Sequence, residues 1–249
     1  MSGVQTKRTT EDERLLDSTA TRRGFDFTHT DPWRVMRITG EFVGGIDALA
    51  HLGPAVSIFG SARLPVDSPY YEAARKTARL LGEAGFAIIT GGGPSIMEAA
   101  NHGASEAGVR SVGCNIELPF EQGINSYVDL PINFRYFFVR KTIFVKYAEA
   151  FIIFPGGFGT LDELFEALVL IQTHKLRNFP VVLFGSDYWA GMLDWMRSRL
   201  LAEDAITPED LALLQVTDEP AEVARIVSAA YSASLEHPRP TLGDASIRE

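Results

Sequence analysis

The 249-residue chain has few of the residues that build disulfide-linked, metal-binding or membrane proteins. Its single cysteine, Cys114, excludes an intramolecular disulfide framework and a cysteine-based metal cluster. Its five histidines form no H-x-x-x-H or H-E-x-x-H pattern, so the sequence gives little support to a metal site. No stretch is long and apolar enough to span a bilayer, and the charged N-terminus has no apolar signal-peptide core. Together these absences predict a protein of the reducing cytoplasm.

Basic residues are outnumbered, with 23 Lys and Arg against 32 Asp and Glu, and the formal net charge is −9. An acidic surface repels nucleic-acid backbones, so long DNA or RNA is not expected as a partner. A small phosphorylated ligand is compatible with this charge. Backbone N–H groups and one or two basic side chains are enough to bind it locally.

From Gly53 onward, short apolar runs alternate with segments of helical periodicity. Strands are predicted at 55–59, 86–90, 109–116, 150–154, 180–184 and, at a sheet edge, 214–217. Helices are predicted at 70–84, 95–107, 133–148, 161–173, 188–201 and 220–232. The alternation predicts an α/β fold with a doubly wound, mostly parallel, Rossmann-like sheet.

The two ends of the chain differ from this centre. Residues 1–30 are polar and are predicted to be a poorly ordered tail. Residues 31–52 are predicted to form a helical extension that starts at Asp31–Pro32. Residues 53–234 are predicted to be one nucleotide-binding domain, followed by a flexible tail at 235–249.

Three predicted strands end in glycine or a small polar residue, and open parallel sheets bind ligands beyond these carboxyl ends. The segments are Gly60-Ser61, Gly91-Gly92-Gly93 and Pro155-Gly156-Gly157-Phe158-Gly159-Thr160. The third runs from a strand into a helix, whose free N–H groups and positive dipole end suit a phosphate. It lacks the lysine of a Walker A loop, and a tight packing turn is the alternative interpretation.

The triple glycine indicates either close backbone packing or a ligand lying against it. A second glycine turn at the same sheet edge favours the ligand. Met97, four residues after Gly93, could line an apolar pocket, although a helical methionine is more often part of the core.

Glu163 lies three residues after Thr160. One interpretation is a capping box, with Thr160 as the N-cap and Glu163 reaching back to its amide. The functional interpretation is a carboxylate that faces the sugar of a ligand whose phosphate lies in the glycine turn. Glu166 is predicted to lie on the same side of the helix, and Asp162 to point elsewhere.

Arg140 and Lys141 stand in the aromatic helix predicted at 133–148, where their neighbours at helical spacing are apolar. A largely buried cation needs an anionic partner. That partner is either a structural carboxylate or the phosphate of a ligand.

These segments resemble the LOG family, the cytokinin riboside 5′-monophosphate phosphoribohydrolases that were long mislabelled lysine decarboxylases. The resemblance rests on Gly91-Gly92-Gly93 with Met97-Glu98-Ala99-Ala100-Asn101, on Arg140-Lys141, and on the run from Pro155 to Glu163. It implies a dimer or larger homo-oligomer with the active site near the subunit interface. It also implies hydrolysis of a nucleoside 5′-monophosphate, such as an N6-substituted or plain adenosine 5′-monophosphate, to free base and ribose 5-phosphate.

The resemblance assigns the catalytic roles to Arg140 and Glu163 and requires no metal or organic cofactor. The substrate-binding residues expected on the same basis are Ser61, Gly91, Gly92, Gly93, Met97, Lys141, Gly156, Gly157, Gly159 and Thr160. Glu163 would stabilise an oxocarbenium-like sugar or activate water. Arg140 would offset charge on the leaving base, orient Glu163 or hold the phosphate. Ser95 departs from the family, where many relatives have glycine.

Two other functions fit parts of the sequence. A non-catalytic carrier of a nucleotide or phosphorylated pterin would use the same glycine turns but would not require the pair of Arg140 and Glu163. A pyridoxal-phosphate decarboxylase needs a lysine for its Schiff base, and Lys141 is the one lysine whose context could be defended.

Overall fold

The computed structural model describes residues 9–16, 31–118 and 123–236. The seven strands are β1 (Ala55–Phe59), β2 (Ala87–Thr90), β3 (Ser111–Ile116), β4 (Leu130–Phe134), β5 (Ala150–Ile153), β6 (Val181–Phe184) and β7 (Leu214–Thr217). The α-helices are α1 (Glu11–Leu16), α2 (Asp31–Leu49), α3 (Pro69–Glu83), α4 (Ile96–Glu106), α5 (Phe137–Tyr147), α6 (Phe158–Gln172), α7 (Ser186–Trp195), α8 (Pro208–Leu211) and α9 (Pro220–Glu236), and a π-helix at Met196–Leu201 continues α7. No helix within these ranges is long and apolar enough to cross a membrane.

The strands form one parallel sheet in the order β4-β3-β2-β1-β5-β6-β7. The chain order reverses between β1 and β5, which pair from Val56 opposite Ala150 to Phe59 opposite Ile153. Ligands of doubly wound sheets bind at such a switch point, beyond the carboxyl ends of the strands. The predicted α/β class is therefore confirmed, and the topology marks one place for a site.

Every residue of β1, β2, β5 and β6 is buried, because helices cover both faces of the sheet. On one face, Phe144 of α5, Leu164 of α6 and Trp189 of α7 belong to one apolar cluster. On the other face, residues of α3, α4 and α9 form a second cluster. The two clusters fix the helices that carry the candidate site.

The helix predicted at 133–148 is wrong at its start. Residues 130–134 form the edge strand β4, and α5 begins only at Phe137. Pro131 has no N–H to donate, but an edge strand tolerates proline because one of its sides has no partner. The strand alternates in exposure and was hidden by the aromatic residues that follow it.

The tail predicted at residues 1–30 contains an ordered helix, α1, in the part that the structure describes. The Oδ2 atom of Asp12 accepts a hydrogen bond from the N–H of Phe137 at 3.1 Å, at the first residue of α5. Glu41 of α2 accepts hydrogen bonds from the N–H groups of Arg135 and Tyr136. The N-terminal extension therefore caps the helix that carries Arg140. Residues 1–8, 17–30 and 237–249 lie outside the described part.

Candidate active site

A cavity of about 760 Å³ opens at the carboxyl ends of β1 and β5. Its wall combines the loop after β1, Gly91 after β2, one side of α5, and the segment from Pro155 to Glu163. Predicted site residues that line it are Ser61, Gly91, Met97, Arg140, Gly156, Gly157, Gly159, Thr160 and Glu163. The fold therefore brings together two glycine turns, the arginine and the glutamate, and their roles in binding stay predictions.

The start of α6 differs from the predicted capping box. Gly157 is the N-cap, and no side chain caps this helix in the described structure. The carbonyl oxygen of Gly157 accepts hydrogen bonds from the N–H groups of Thr160 and Leu161, both at 3.0 Å. Thr160 is thus the third helical residue, and Glu163 lies in the second turn and is buried. The capping-box interpretation is wrong because the helix starts three residues earlier, through Phe158 and Gly159.

The glycines of this segment divide into packing and open positions. A Cβ on Gly156 would overlap the side chain of Thr160 and lie 3.0 Å from the carbonyl carbon of Gly60. A Cβ on Gly157 or Gly159 would meet nothing within 4 Å. The backbone at Gly157 and Gly159 is therefore open to a ligand, whereas Gly156 holds two loops together.

This division gives a prediction for stability. Gly156→Ala should lower the free energy of unfolding by about 1–3 kcal/mol, because two backbone segments must separate to admit the methyl group. Gly159→Ala is the matched control and should leave stability unchanged or slightly higher, since alanine favours the helix and finds open space. Denaturant unfolding of both variants checks this, and equal midpoints for the two would contradict it.

Glu163 is 4% exposed. Its Oε2 atom is buried and receives no hydrogen bond from any residue of the described ranges. Burial raises the pKa of Glu163 to about 7, although the positive charges of Arg140 and Lys141 oppose that shift. A carboxyl group that titrates near neutral pH at a cavity wall is suited to act as a general base.

Arg140 reaches the cavity from the first turns of α5. Its Nε atom donates to the carbonyl oxygen of Cys114 at 2.8 Å, and its guanidinium lies 5.0 Å from the ring centre of Phe144. Burial lowers the pKa of Arg140, and the charge of Glu163 partly offsets that effect. The two groups interact electrostatically without an ion pair within 4.0 Å in the described structure. Among the described residues Glu163 exerts the strongest charge effect on Arg140, and a ligand phosphate as its partner stays a prediction.

Lys141 lies away from the lining of the cavity. Its Nζ atom contacts Asp162 Oδ1 at 3.0 Å and Glu166 Oε2 at 3.1 Å. Burial alone would lower the pKa of Lys141, but these two carboxylates raise it. The structure therefore gives Lys141 structural carboxylates as partners. It also corrects the expectation that Asp162 points away from Glu166.

The three consecutive glycines serve different purposes. A Cβ on Gly91 would lie 2.7 Å from an Nη atom of Arg140, so Gly91 leaves room for the guanidinium at the cavity wall. Gly92 has a φ of +72° and packs against Gly113. The carbonyl of Gly93 accepts a hydrogen bond from the Asn125 side chain at 2.9 Å. Gly92 and Gly93 therefore lie outside the cavity lining and are held by contacts within the protein, and their expected contact with substrate stays a prediction.

Arg63 and Tyr188 are among the side chains of the cavity wall that sequence reasoning missed. The hydroxyl of Tyr188, on α7, donates to the carbonyl oxygen of Gly156 at 2.8 Å. Arg63 is separated from Gly60-Ser61 by Ala62 alone, so its place near a strand end could have singled it out. Tyr188 follows β6, whose end carries a single glycine, Gly185, and no motif.

Comparison with known proteins places this site in a family. A family model described as possible lysine decarboxylase matches residues 97–227, which is more than half of the chain. A cytokinin riboside 5′-monophosphate phosphoribohydrolase of Mycobacterium tuberculosis is 29% identical over 171 residues, covering 66% of this chain and 88% of that protein. A pyrimidine/purine nucleotide 5′-monophosphate nucleosidase of Escherichia coli is 30% identical over 193 residues. That match covers 70% of this chain but only 40% of the relative.

The fold has solved counterparts as well. The molybdenum cofactor binding protein of Rippkaea orientalis superposes with a TM-score of 0.52 at 22% identity. The superposition covers 72% of this chain and 96% of that one. At this identity the likeness supports the Rossmann-like architecture and nothing about the ligand.

Proposed function

The chain belongs to the LOG family, and from that membership we propose that it hydrolyses the N-glycosidic bond of a nucleoside 5′-monophosphate. The products are the free base and ribose 5-phosphate. The substrate class we propose is adenosine 5′-monophosphate, plain or N6-substituted. The names of the two relatives agree on a 5′-monophosphate and differ in the base.

One observation carries the proposal: the buried carboxyl group of Glu163, whose Oε2 atom has no hydrogen-bond partner among the described residues, lines a cavity that also holds Arg140 and the start of α6. A buried carboxylate oxygen without a hydrogen bond is costly and needs an explanation. A reacting sugar beside it supplies one. The open backbone at Gly157 and Gly159 would hold the 5′-phosphate and so position the ribose.

In the proposed reaction the bond from C1′ to the base nitrogen breaks and a bond from C1′ to a water oxygen forms. Glu163 accepts the proton of the attacking water or stabilises positive charge on the sugar ring. The leaving base gathers negative charge, which Arg140 offsets before a proton reaches the base. Because Glu163 and Arg140 line the same cavity, the carboxylate can act on the sugar while the guanidinium acts on the leaving base.

The first experiment is a turnover assay with AMP and with N6-isopentenyl-AMP, in which chromatography separates free base from nucleotide. Release of base with an equal amount of ribose 5-phosphate from either substrate is the expected result, and the rate ratio sets the base preference. Tight nucleotide binding without release from either substrate would instead support a carrier.

The pH dependence of kcat/KM provides a second test. The ionised form of Glu163 is the active one, and its pKa is about 7. We therefore expect kcat/KM to rise about tenfold per pH unit below pH 7 and to level off above it. Ribose 5-phosphate binding, measured over the same range, corrects for ionisation of the phosphate near pH 6. A corrected profile that is flat from pH 5.5 to 8 would contradict this role.

The family description as a possible lysine decarboxylase finds no support in Lys141. A Schiff-base lysine has to lose its proton, whereas Asp162 and Glu166 hold this ammonium group in its charged form. We expect the purified protein, incubated with pyridoxal phosphate, to develop no absorbance band of an internal aldimine.

A further inference from the structure

The basic side chains near the cavity differ in how firmly they are held. Within the described part of the chain, Arg63 and Arg140 are the basic residues of the cavity lining. Arg140 is held by the Cys114 carbonyl and the Phe144 ring, and Lys141 by two carboxylates. The exposed Arg63 side chain forms no ion pair or hydrogen bond with any residue of the described ranges. Among the described residues of the cavity lining, Arg63 is therefore the cation whose side chain is free to bind an anion.

The backbone of Arg63 lies close to the proposed phosphate site. The N–H of Ser61 donates to the carbonyl oxygen of Pro155 at 2.9 Å, which joins the loop after β1 to the segment that starts α6. The N–H of Arg63 then donates to the hydroxyl of Ser61 at 3.0 Å. Arg63 therefore begins two residues from the point where the two loops meet, and its long side chain can extend over the start of α6.

The loop is fixed on the other side of Arg63 as well. The hydroxyl of Ser95 donates to the carbonyl oxygen of Leu64 at 2.8 Å. Ser95 is 5% exposed and has a φ of +62°, a backbone conformation that is strained for a residue with a side chain. The serine at this strained position thus uses its hydroxyl to hold the residue next to Arg63.

We propose that Arg63 is a specificity-determining residue that binds the 5′-phosphate opposite the N–H groups at the start of α6, and that Ser95 positions its loop. This inference rests on the proposed function. A phosphate monoester carries nearly two negative charges at neutral pH, and a helix start offers only about half of a positive charge. A guanidinium group supplies a full charge and two parallel donors, so its contribution favours a nucleotide over a nucleoside.

The test measures binding of ribose 5-phosphate by calorimetry at fixed ionic strength, with no turnover needed. Arg63→Gln should weaken binding roughly 10- to 100-fold, the range of a charge-assisted hydrogen bond, and Arg63→Lys should fall between. Adenosine, which has no phosphate, should bind equally well to wild type and Arg63→Gln. Arg110→Gln is the matched control. Arg110 is an exposed arginine that precedes β3, so it lies at the amino ends of the strands, whereas the cavity lies at their carboxyl ends.

A double-mutant cycle tests the positioning role of Ser95. Ser95→Gly should weaken ribose 5-phosphate binding severalfold while leaving adenosine binding unchanged. Adding it to Arg63→Gln should cause no further loss, because Ser95 acts through Arg63. Additive losses would show that Ser95 does not act through Arg63.

The results separate this inference from the proposed reaction. Arg63→Gln binding ribose 5-phosphate within twofold of wild type overturns the role of Arg63, whatever the turnover assay gives. Weakened binding in a protein that releases no base keeps the role of Arg63 and overturns the hydrolysis. A wild type that does not bind ribose 5-phosphate overturns the role of Arg63, whereas the hydrolysis is still decided by the turnover assay.

Discussion

Glu163→Gln should lower kcat by roughly 10²- to 10⁴-fold, the usual contribution of a general base, while the affinity for nucleotide changes little. The amide keeps the shape of the carboxyl group at the buried wall of the cavity but cannot accept a proton or balance a cationic sugar. Phosphate binding at the start of α6 does not depend on that carboxylate. Single-turnover kinetics together with calorimetric binding of AMP separate the two effects.

Glu166→Gln is the matched control for this variant. Glu166 lies one helical turn further along α6, where it pairs with Lys141, which also contacts Asp162. Removing its charge should leave kcat within a fewfold of wild type. Near-normal turnover by Glu163→Gln, or an equal loss in both variants, would remove Glu163 from the chemistry.

Glu163→Gln should raise the stability of the fold although it lowers activity. The pKa of Glu163 rises on folding from an ordinary 4.5 to about 7, so the folded chain holds this proton more tightly. The associated stability is complete below pH 4.5 and is lost as the pH rises through 7. At pH 8, Glu163→Gln avoids the buried charge and should gain up to about 3 kcal/mol. A more stable but inactive variant also shows that lost turnover is not lost folding.

The position of the cavity is predictable from the sequence, because the strands beside it are apolar runs that are followed by glycine. The runs at 55–59 and 150–153 are too apolar for exposed segments, and the glycines after them mark the sheet edge where the cavity lies. Arg140 and Glu163 could be singled out because one stands in an apolar helix and the other follows a glycine turn.

The errors come from features that only tertiary contacts determine. Local spacing suggested that Thr160 caps α6, but Gly157 is the N-cap, and Thr160 packs against Gly156 from within the helix. Three glycines in a row suggested a ligand, yet the close approach of Gly92 to Gly113 explains one of them. The carboxylates around Lys141 come from a different helix, so no sequence window contains the whole contact.

Arg140→Met is expected to reduce kcat/KM by roughly 10²- to 10³-fold, since it removes a fixed charge where the leaving base gathers electrons. Methionine retains much of the apolar packing on Phe144 but cannot donate to the Cys114 carbonyl. Arg140→Lys should recover only part of the loss, because an ammonium group cannot hold the carbonyl and face the cavity as a planar fork does. Arg135→Lys, an exposed change just before α5, is the control and should be close to wild type.

The pH profile of Arg140→Met tests whether this arginine acts on Glu163 as well as on the leaving base. The positive charge of Arg140 lowers the pKa of Glu163 against the effect of burial. Without that charge, Glu163 holds its proton to a higher pH, so the rising limb of kcat/KM should move above pH 7. A limb that moves means that Arg140 keeps Glu163 ionised as well as serving the leaving base. A limb that stays in place, with the rate still reduced, assigns Arg140 to the leaving base alone.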